Sequence, residues 1–264
     1  MAATLEDRLG VLDPLLDEAE LSDQLAHELF AVVDVLDGSP TLRRVVTDPG
    51  TPEAARAAFV HGLLDGKVSA PCVDLVAEAT RRRWSSGSTF AAALERQGVR
   101  AQLLLADRAG HLDETEDELF RFARLVESDA TLRNALGERS IDPAFRESLV
   151  GDLLDGRATL ATVVLAKRAV GARNRSYSHT LESYINLAAA QRDRVIATVR
   201  VARPLTDEQL QRLRAGLSRQ VGRNVGLQVI VEPDLLAGVR VELGTEVIEG
   251  TVSGRLAEAR KLFA

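Results

Sequence analysis

Apolar residues recur through the first 190 residues at the spacing of α-helices. An apolar residue at every third or fourth position places one face of a helix toward a core, while the positions between them stay polar. Two stripes show this spacing clearly, namely Leu25, Leu29, Val32, Val33 and Leu36, and Leu119, Phe122, Leu125 and Val126. The pattern predicts bundles of amphipathic helices.

Turn-forming residues indicate where these helices begin and end. An oxygen-bearing side chain before a proline indicates a start, because the side chain can cap the helix and proline fits its first turn. A glycine after the last turn indicates an end, because glycine readily adopts the left-handed conformation. A further helix is expected from Phe90 to Gln97. The predicted starts are Thr51-Pro52 and Asp142-Pro143, and the predicted ends are Asp65-Gly66 and Asp155-Gly156.

The helical region repeats itself after 90 residues. Chance similarity between helices rich in Ala and Leu does not keep separate blocks in one gapless register. Solenoid repeats run to roughly 20–50 residues, so this period indicates a duplicated domain. We predict an extra helical bundle at residues 1–98 and a second at 99–190, each with five or six short helices. The clearest blocks are Glu28-Leu29-Phe30 with Glu118-Leu119-Phe120, and Leu63-Leu64-Asp65-Gly66 with Leu153-Leu154-Asp155-Gly156.

The pattern changes after Gln191 to short, partly alternating segments rich in β-branched residues, which is typical of strands. A first strand is predicted over 194–202, and Thr206 and Gln209 then form a capping box that opens a helix. A second strand over 225–231, a hairpin over 238–248 and a last helix follow. The predicted fold class is mainly α, with a small α+β domain at residues 191–264.

Composition and charge limit the possible functions. The formal net charge of −6 argues against nucleic-acid binding, which relies on Lys and Arg to neutralise phosphates. The longest uncharged apolar run, residues 158–166, is far shorter than the ~20 residues of a membrane span. Aromatic residues make up only 4% of the chain, so few Tyr and Trp anchors are available and we expect extended helical contacts with partners.

Candidate chemistry is sparse. The four histidines are isolated from one another, and no phosphate-binding loop or metal-binding spacing is present. The single cysteine, Cys72, excludes an internal disulfide, and we interpret it as a small buried hydrophobic residue. We therefore expect no catalytic residues, no metal and no cofactor. The histidines are His27, His61, His111 and His179.

The last third of the chain carries short motifs that include Pro204, Thr206, Gln209, Gly238, Gly250 and Thr251. These motifs resemble the delta subunit of F-type ATP synthase, the family that includes the mitochondrial oligomycin-sensitivity-conferring protein. Residues 99–190 are similar to the helical domain of that family, including the segment 106–110. The additional copy at 1–98 resembles the longer delta subunits of high-GC Gram-positive bacteria. These six signature residues are all expected to be structural.

This resemblance implies a non-catalytic component of the peripheral stalk, at the cytoplasmic face of the plasma membrane and without direct membrane insertion. Its helical domain would hold the N-terminal helices of alpha subunits, and its C-terminal domain would hold the C-terminal ends of the b subunits. A stator of this kind prevents the catalytic head from turning with the rotor. The candidate contact residues in the second bundle are Leu119, Phe122 and Leu125.

Two other classes of function stay open at this point. A generic helical adaptor unrelated to ATP synthase would share everything except the C-terminal motifs, and copurification with synthase subunits would separate the two. An enzyme would need a clustered acid–base group in a deep pocket. The sequence offers no candidate for such a group.

Overall fold

The computed structural model describes residues 8–138, 140–171, 176–192, 194–221, 224–232, 239–243 and 246–249. The chain divides into two compact units, Met1–Arg192 and Asp193–Ala264. The first unit is helical, and the second combines strands with a helix. The predicted class, mainly α with a small α+β domain, is confirmed.

Eleven α-helices and two 3-10 turns, Gly10–Leu12 and Ala169–Gly171, make up the described part of the first unit. Adding 90 to the first residue of α2 to α6 gives the first residue of α7 to α11, to within one position. The order of helices therefore follows the sequence repeat. The helices are α1 (Asp13–Glu18), α2 (Asp23–Gly38), α3 (Pro40–Thr47), α4 (Glu53–Leu64), α5 (Ala70–Arg81), α6 (Gly87–Arg108), α7 (Leu112–Ser128), α8 (Ala130–Gly137), α9 (Pro143–Leu154), α10 (Leu160–Arg168) and α11 (Tyr177–Arg192).

Helix α6 crosses position 98, where we predicted the boundary between the two bundles. Its first half is the last helix of the first copy, and residues 99–108 correspond to residues 9–18, which include α1. The predicted end at Gln97 is wrong, because Gly98 keeps a negative φ and continues the helix. One continuous helix thus joins the two copies, and their division into separate domains stays a prediction.

Phe30 of α2 packs directly against this shared helix. A Cβ atom at Gly98 would lie 2.5 Å from the Phe30 ring, so the close approach requires glycine. The Arg168 guanidinium lies 4.8 Å from the ring centroid and binds Glu95 through two hydrogen bonds of 2.8 and 2.7 Å. Burial lowers the pKa of Arg168, but the hydrogen bonds and charge of Glu95, with the charge of Asp34, outweigh it and raise that pKa.

The helix ends agree with most of the sequence signals. Asp142 caps α9 by accepting a hydrogen bond of 2.9 Å from the Ala144 backbone N–H. Gly66 and Gly156 adopt φ values of 74° and 73° after α4 and α9, as predicted. The predicted cap by Thr51 is wrong, because α4 starts at Glu53 with Pro52 in the N-cap position, so Thr51 lies one residue too early in the chain. The Thr51 hydroxyl donates a hydrogen bond to Asp48.

The second unit contains a four-stranded sheet in the order β2-β1-β3-β4. Strands β1 and β2 are parallel, with Val201 opposite Val231, while β3 is antiparallel to both β1 and β4. The predicted order of strand, helix, strand and hairpin is confirmed, and the predicted last helix lies outside the described residues. The elements are β1 (Arg194–Val201), α12 (Asp207–Val221), β2 (Asn224–Val231), β3 (Val239–Leu243) and β4 (Glu246–Glu249).

Candidate helix-binding grooves

The three predicted contact residues of α7 lie in different environments. Leu119 and Phe122 are buried in the core of the second copy, where Phe122 also contacts the Tyr177 ring edge-on. Their side chains therefore stabilise the bundle and are not available at its surface. Leu125 is 47% exposed, so among the three it alone remains a candidate for contact with a partner.

Two of the described signature residues of the second unit, Thr206 and Gln209, bind each other at the start of α12. Thr206 Oγ1 accepts a hydrogen bond of 3.3 Å from the Gln209 backbone N–H, and Gln209 Oε1 accepts one of 2.9 Å from the Thr206 N–H. This reciprocal pair is the predicted capping box at the start of α12. Pro204 is exposed just before it. Gly238, Gly250 and Thr251 lie outside the described residues.

A groove of about 250 Å³ separates the C-terminal half of α6 from the start of α10. Leu160 stands at this groove and is 69% exposed, more than any other large apolar side chain that the structure describes. Gln102 is buried in the same wall, and its Nε2 donor has no hydrogen-bond partner among the described residues. The other lining residues are Asp23, Leu105, Ala106, Ala109, His111, Thr115, Thr159 and Ala161.

Glu118 of α7 fixes the start of α10 beside this groove. Its Oε2 atom accepts hydrogen bonds from the backbone N–H of Thr159 at 2.9 Å and from the Thr162 hydroxyl at 2.7 Å. The first copy repeats this contact, with Glu28 accepting a hydrogen bond of 2.9 Å from the Ser69 N–H. Burial alone would raise the pKa of Glu28, but the hydrogen bonds from Ser69 and Gln24 outweigh it and lower that pKa. A carboxylate at a helix N-terminus also interacts favourably with the helix dipole.

The first copy has a groove at the equivalent place, between α1 and α5, with a volume of about 450 Å³. Leu15, Ala19 and Pro71 line it, and their positions plus 90 are Leu105, Ala109 and Ala161 of the second groove. The same pair of helices thus forms a groove in each copy. Sequence patterns did not reveal either groove, because each is lined by residues from helices that lie far apart in the sequence.

Comparison with known proteins places these features in a family. The family model of the ATP synthase delta (OSCP) subunit matches residues 95–263, which is more than half of the chain. The chain belongs to the ATP synthase delta (OSCP) family. The matched region starts within α6 and so covers the second copy of the repeat together with the second unit.

Relatives in actinobacteria match almost the whole chain, including its first copy. A protein of Streptomyces avermitilis named ATP synthase subunit delta is 45% identical over 255 residues, covering 96% of this chain and 93% of the relative. One of the same name from Kineococcus radiotolerans is 42% identical over 264 residues, covering 99% and 96%. The helical copy that lies outside the family model is therefore shared with these family members.

Other kinds of site find little support in the part of the chain that the structure describes. No three of its His, Cys, Asp and Glu side chains are grouped closely enough to hold a metal ion. Cys72 is fully buried, and burial, with a smaller effect of the Glu28 charge, raises the pKa of its thiol to about 12. The thiol is therefore neutral near pH 7 and a poor nucleophile. None of the described helices has the length and apolar character needed to cross a membrane.

Proposed function

We propose that this chain is a non-catalytic stator subunit of an F-type proton-translocating ATP synthase. It links the alpha subunits of the catalytic head to the membrane-anchored b subunits, as a peripheral component at the cytoplasmic face of the plasma membrane. Membership of the delta (OSCP) family supports this role, as do the relatives named ATP synthase subunit delta. The role requires binding energy and stiffness, and no reacting group.

The observation that carries the proposal is the groove between α6 and α10. A large apolar side chain that is 69% exposed, as Leu160 is, gains free energy when a partner removes it from water. Leu105 and Ala109 continue the apolar surface along α6, and such a groove suits the apolar face of an amphipathic helix. We assign it to an N-terminal helix of an alpha subunit.

Replacing Leu160 by Asp is expected to weaken the binding of a synthetic peptide of the alpha N-terminal helix roughly ten- to hundredfold, because a charge enters an apolar contact. The free energy of unfolding is expected to change by no more than about 0.5 kcal/mol, since the side chain is exposed in the free chain. Calorimetric titration of the full-length variants with the peptide measures the first effect, and urea unfolding measures the second.

His111→Ala is the matched control for this test. His111 lines the same groove and lies 3.2 Å from Glu114, but both side chains are more than half exposed, so little binding energy is expected from them. Affinity for the peptide should stay within a factor of about three. If Leu160→Asp binds the peptide as tightly as the parent chain, this groove does not hold the alpha helix.

We assign the binding of the b subunits to the second unit, residues 191–264. It is the part without a repeat, and it carries the family signature around the α12 capping box. A chain ending at Gln191 is expected to lose the b subunits while keeping affinity for the catalytic head, because Met1–Arg192 is a compact unit with its own cores. Copurification of tagged chains with b and with alpha measures both effects. Full retention of b by the shortened chain would refute this division of roles.

A further inference from the structure

The two grooves share three equivalent apolar positions, but the charged residues at their edges differ. Glu18, Asp74 and Glu78 line the α1–α5 groove, together with His61 and Arg81. Arg81 forms an ion pair of 3.0 Å with Glu78, and Glu18 and Asp74 are exposed. The groove therefore has an excess of negative charge. The residues 90 positions after the three carboxylates are Arg108, Val164 and Arg168, so the second copy lacks this acidic rim.

We expect this difference in charge to select different helices at the two grooves. An acidic rim attracts Lys and Arg side chains that flank the apolar face of a helix, and it repels Asp and Glu at those positions. The partly exposed residues Leu15, Ala19 and Pro71 supply the surface that an apolar face would cover. Between α6 and α10, Asp23 and His111 are the charged or titratable residues of the lining, which gives little selection by charge.

We propose that the α1–α5 groove is a second docking site, which binds a basic amphipathic helix of a partner protein. The inference rests on the proposed function, because it extends to the first copy the helix-holding role assigned to the second. The chain then holds two partner helices at once. The α6–α10 groove selects its helix mainly by the apolar face, and the α1–α5 groove also selects for positive charge. An additional copy of the bundle, with acidic residues at the edge of its groove, lets one stator chain bind two different partner helices.

Two designed peptides of about 18 residues test this proposal with the full-length chain. Both are amphipathic helices with the same apolar face, flanked by Lys in one peptide and by Glu in the other. The Lys peptide is expected to bind at least about tenfold more tightly than the Glu peptide at low salt. This preference should shrink at high salt, because exposed charges are screened. Fluorescence anisotropy of labelled peptides measures both affinities.

Variants of each groove locate the binding. Glu18→Lys combined with Asp74→Lys changes exposed side chains only, so the fold should be retained, and it is expected to reduce affinity for the Lys peptide about tenfold or more. Leu15→Asp should also weaken it, while Leu160→Asp, which changes the other groove, should leave the preference for the Lys peptide over the Glu peptide unchanged. Equal binding of both peptides, or binding that the charge variant leaves unchanged, overturns the inference. If Leu160→Asp leaves the binding of the alpha peptide unchanged, that result contradicts the proposed function and not this inference. The two outcomes are therefore distinguishable.

Discussion

Replacing Phe30 by Ala is expected to lower the free energy of unfolding of the helical unit by about 3–5 kcal/mol, as for other buried aromatic residues. The ring is 6% exposed and belongs to the core of the second copy, although Phe30 comes from the first. Removing it leaves a cavity beside Gly98, where no Cβ is present to fill the space. It also removes the cation–π contact with Arg168, which contributes about 0.5–1 kcal/mol.

The repeat provides a matched control for this substitution. Phe120 occupies the equivalent position in the second copy but is 52% exposed, so Phe120→Ala is expected to change stability by no more than about 0.5 kcal/mol. Urea unfolding followed by the helical circular dichroism signal compares the two variants. Similar losses of stability for Phe30→Ala and Phe120→Ala would show that Phe30 does not join the copies as the structure indicates.

Replacing Arg56 by Met is expected to cost about 3 kcal/mol of stability, because buried carbonyl oxygens lose a charged donor. Arg56 is 4% exposed and donates to the carbonyls of Thr80 at 2.8 Å, Asp48 at 2.9 Å and Thr51. These bonds tie the end of α5 to the turn between α3 and α4. A Met side chain fills a similar space but satisfies none of these acceptors.

The equivalent substitution, Arg146→Met, is expected to cost less, about 1–2 kcal/mol. Arg146 makes longer bonds of 3.2 and 3.3 Å to the carbonyls of Leu136 and Val170, and its Nε donor has no partner among the described residues. Arg121→Met, at an exposed ion pair with Asp117, should change stability by less than about 0.5 kcal/mol. Chemical unfolding of the three variants measures their losses of stability. A larger loss for Arg146→Met than for Arg56→Met would contradict the predicted order.

Local signals predicted much of the fold because they act over a few residues. The Asp142 cap, the glycines at 66 and 156 and the capping box at Thr206 each depend on short-range geometry that the sequence contains. The gapless repeat likewise predicted equivalent helices. In the second unit, alternation of apolar residues predicted the strands, since one face of β1 is buried.

Most of the wrong predictions concern contacts between residues that are distant in the sequence. The helix predicted to end at Gln97 continues through Gly98, where the absence of a side chain allows the contact with Phe30 of another helix. Thr51 failed as a cap because α4 starts at Glu53 and Pro52 takes the N-cap position. Apolar periodicity placed Leu119, Phe122 and Leu125 on one stripe, yet only packing decides which of them the neighbouring helices cover. The exposure of Leu160 depends on tertiary structure in the same way.

Photocrosslinking in the assembled ATP synthase tests the central claim most directly. A photoreactive amino acid at position 160 of this chain lies at the α6–α10 groove, and one at the exposed Asp65, in the turn after α4, serves as the control. Irradiation followed by mass spectrometry identifies the subunit and the residues that are captured. The stator account predicts an adduct between position 160 and the N-terminal residues of an alpha subunit, with none from position 65. Capture of only other subunits, or no capture in an intact complex, would contradict it.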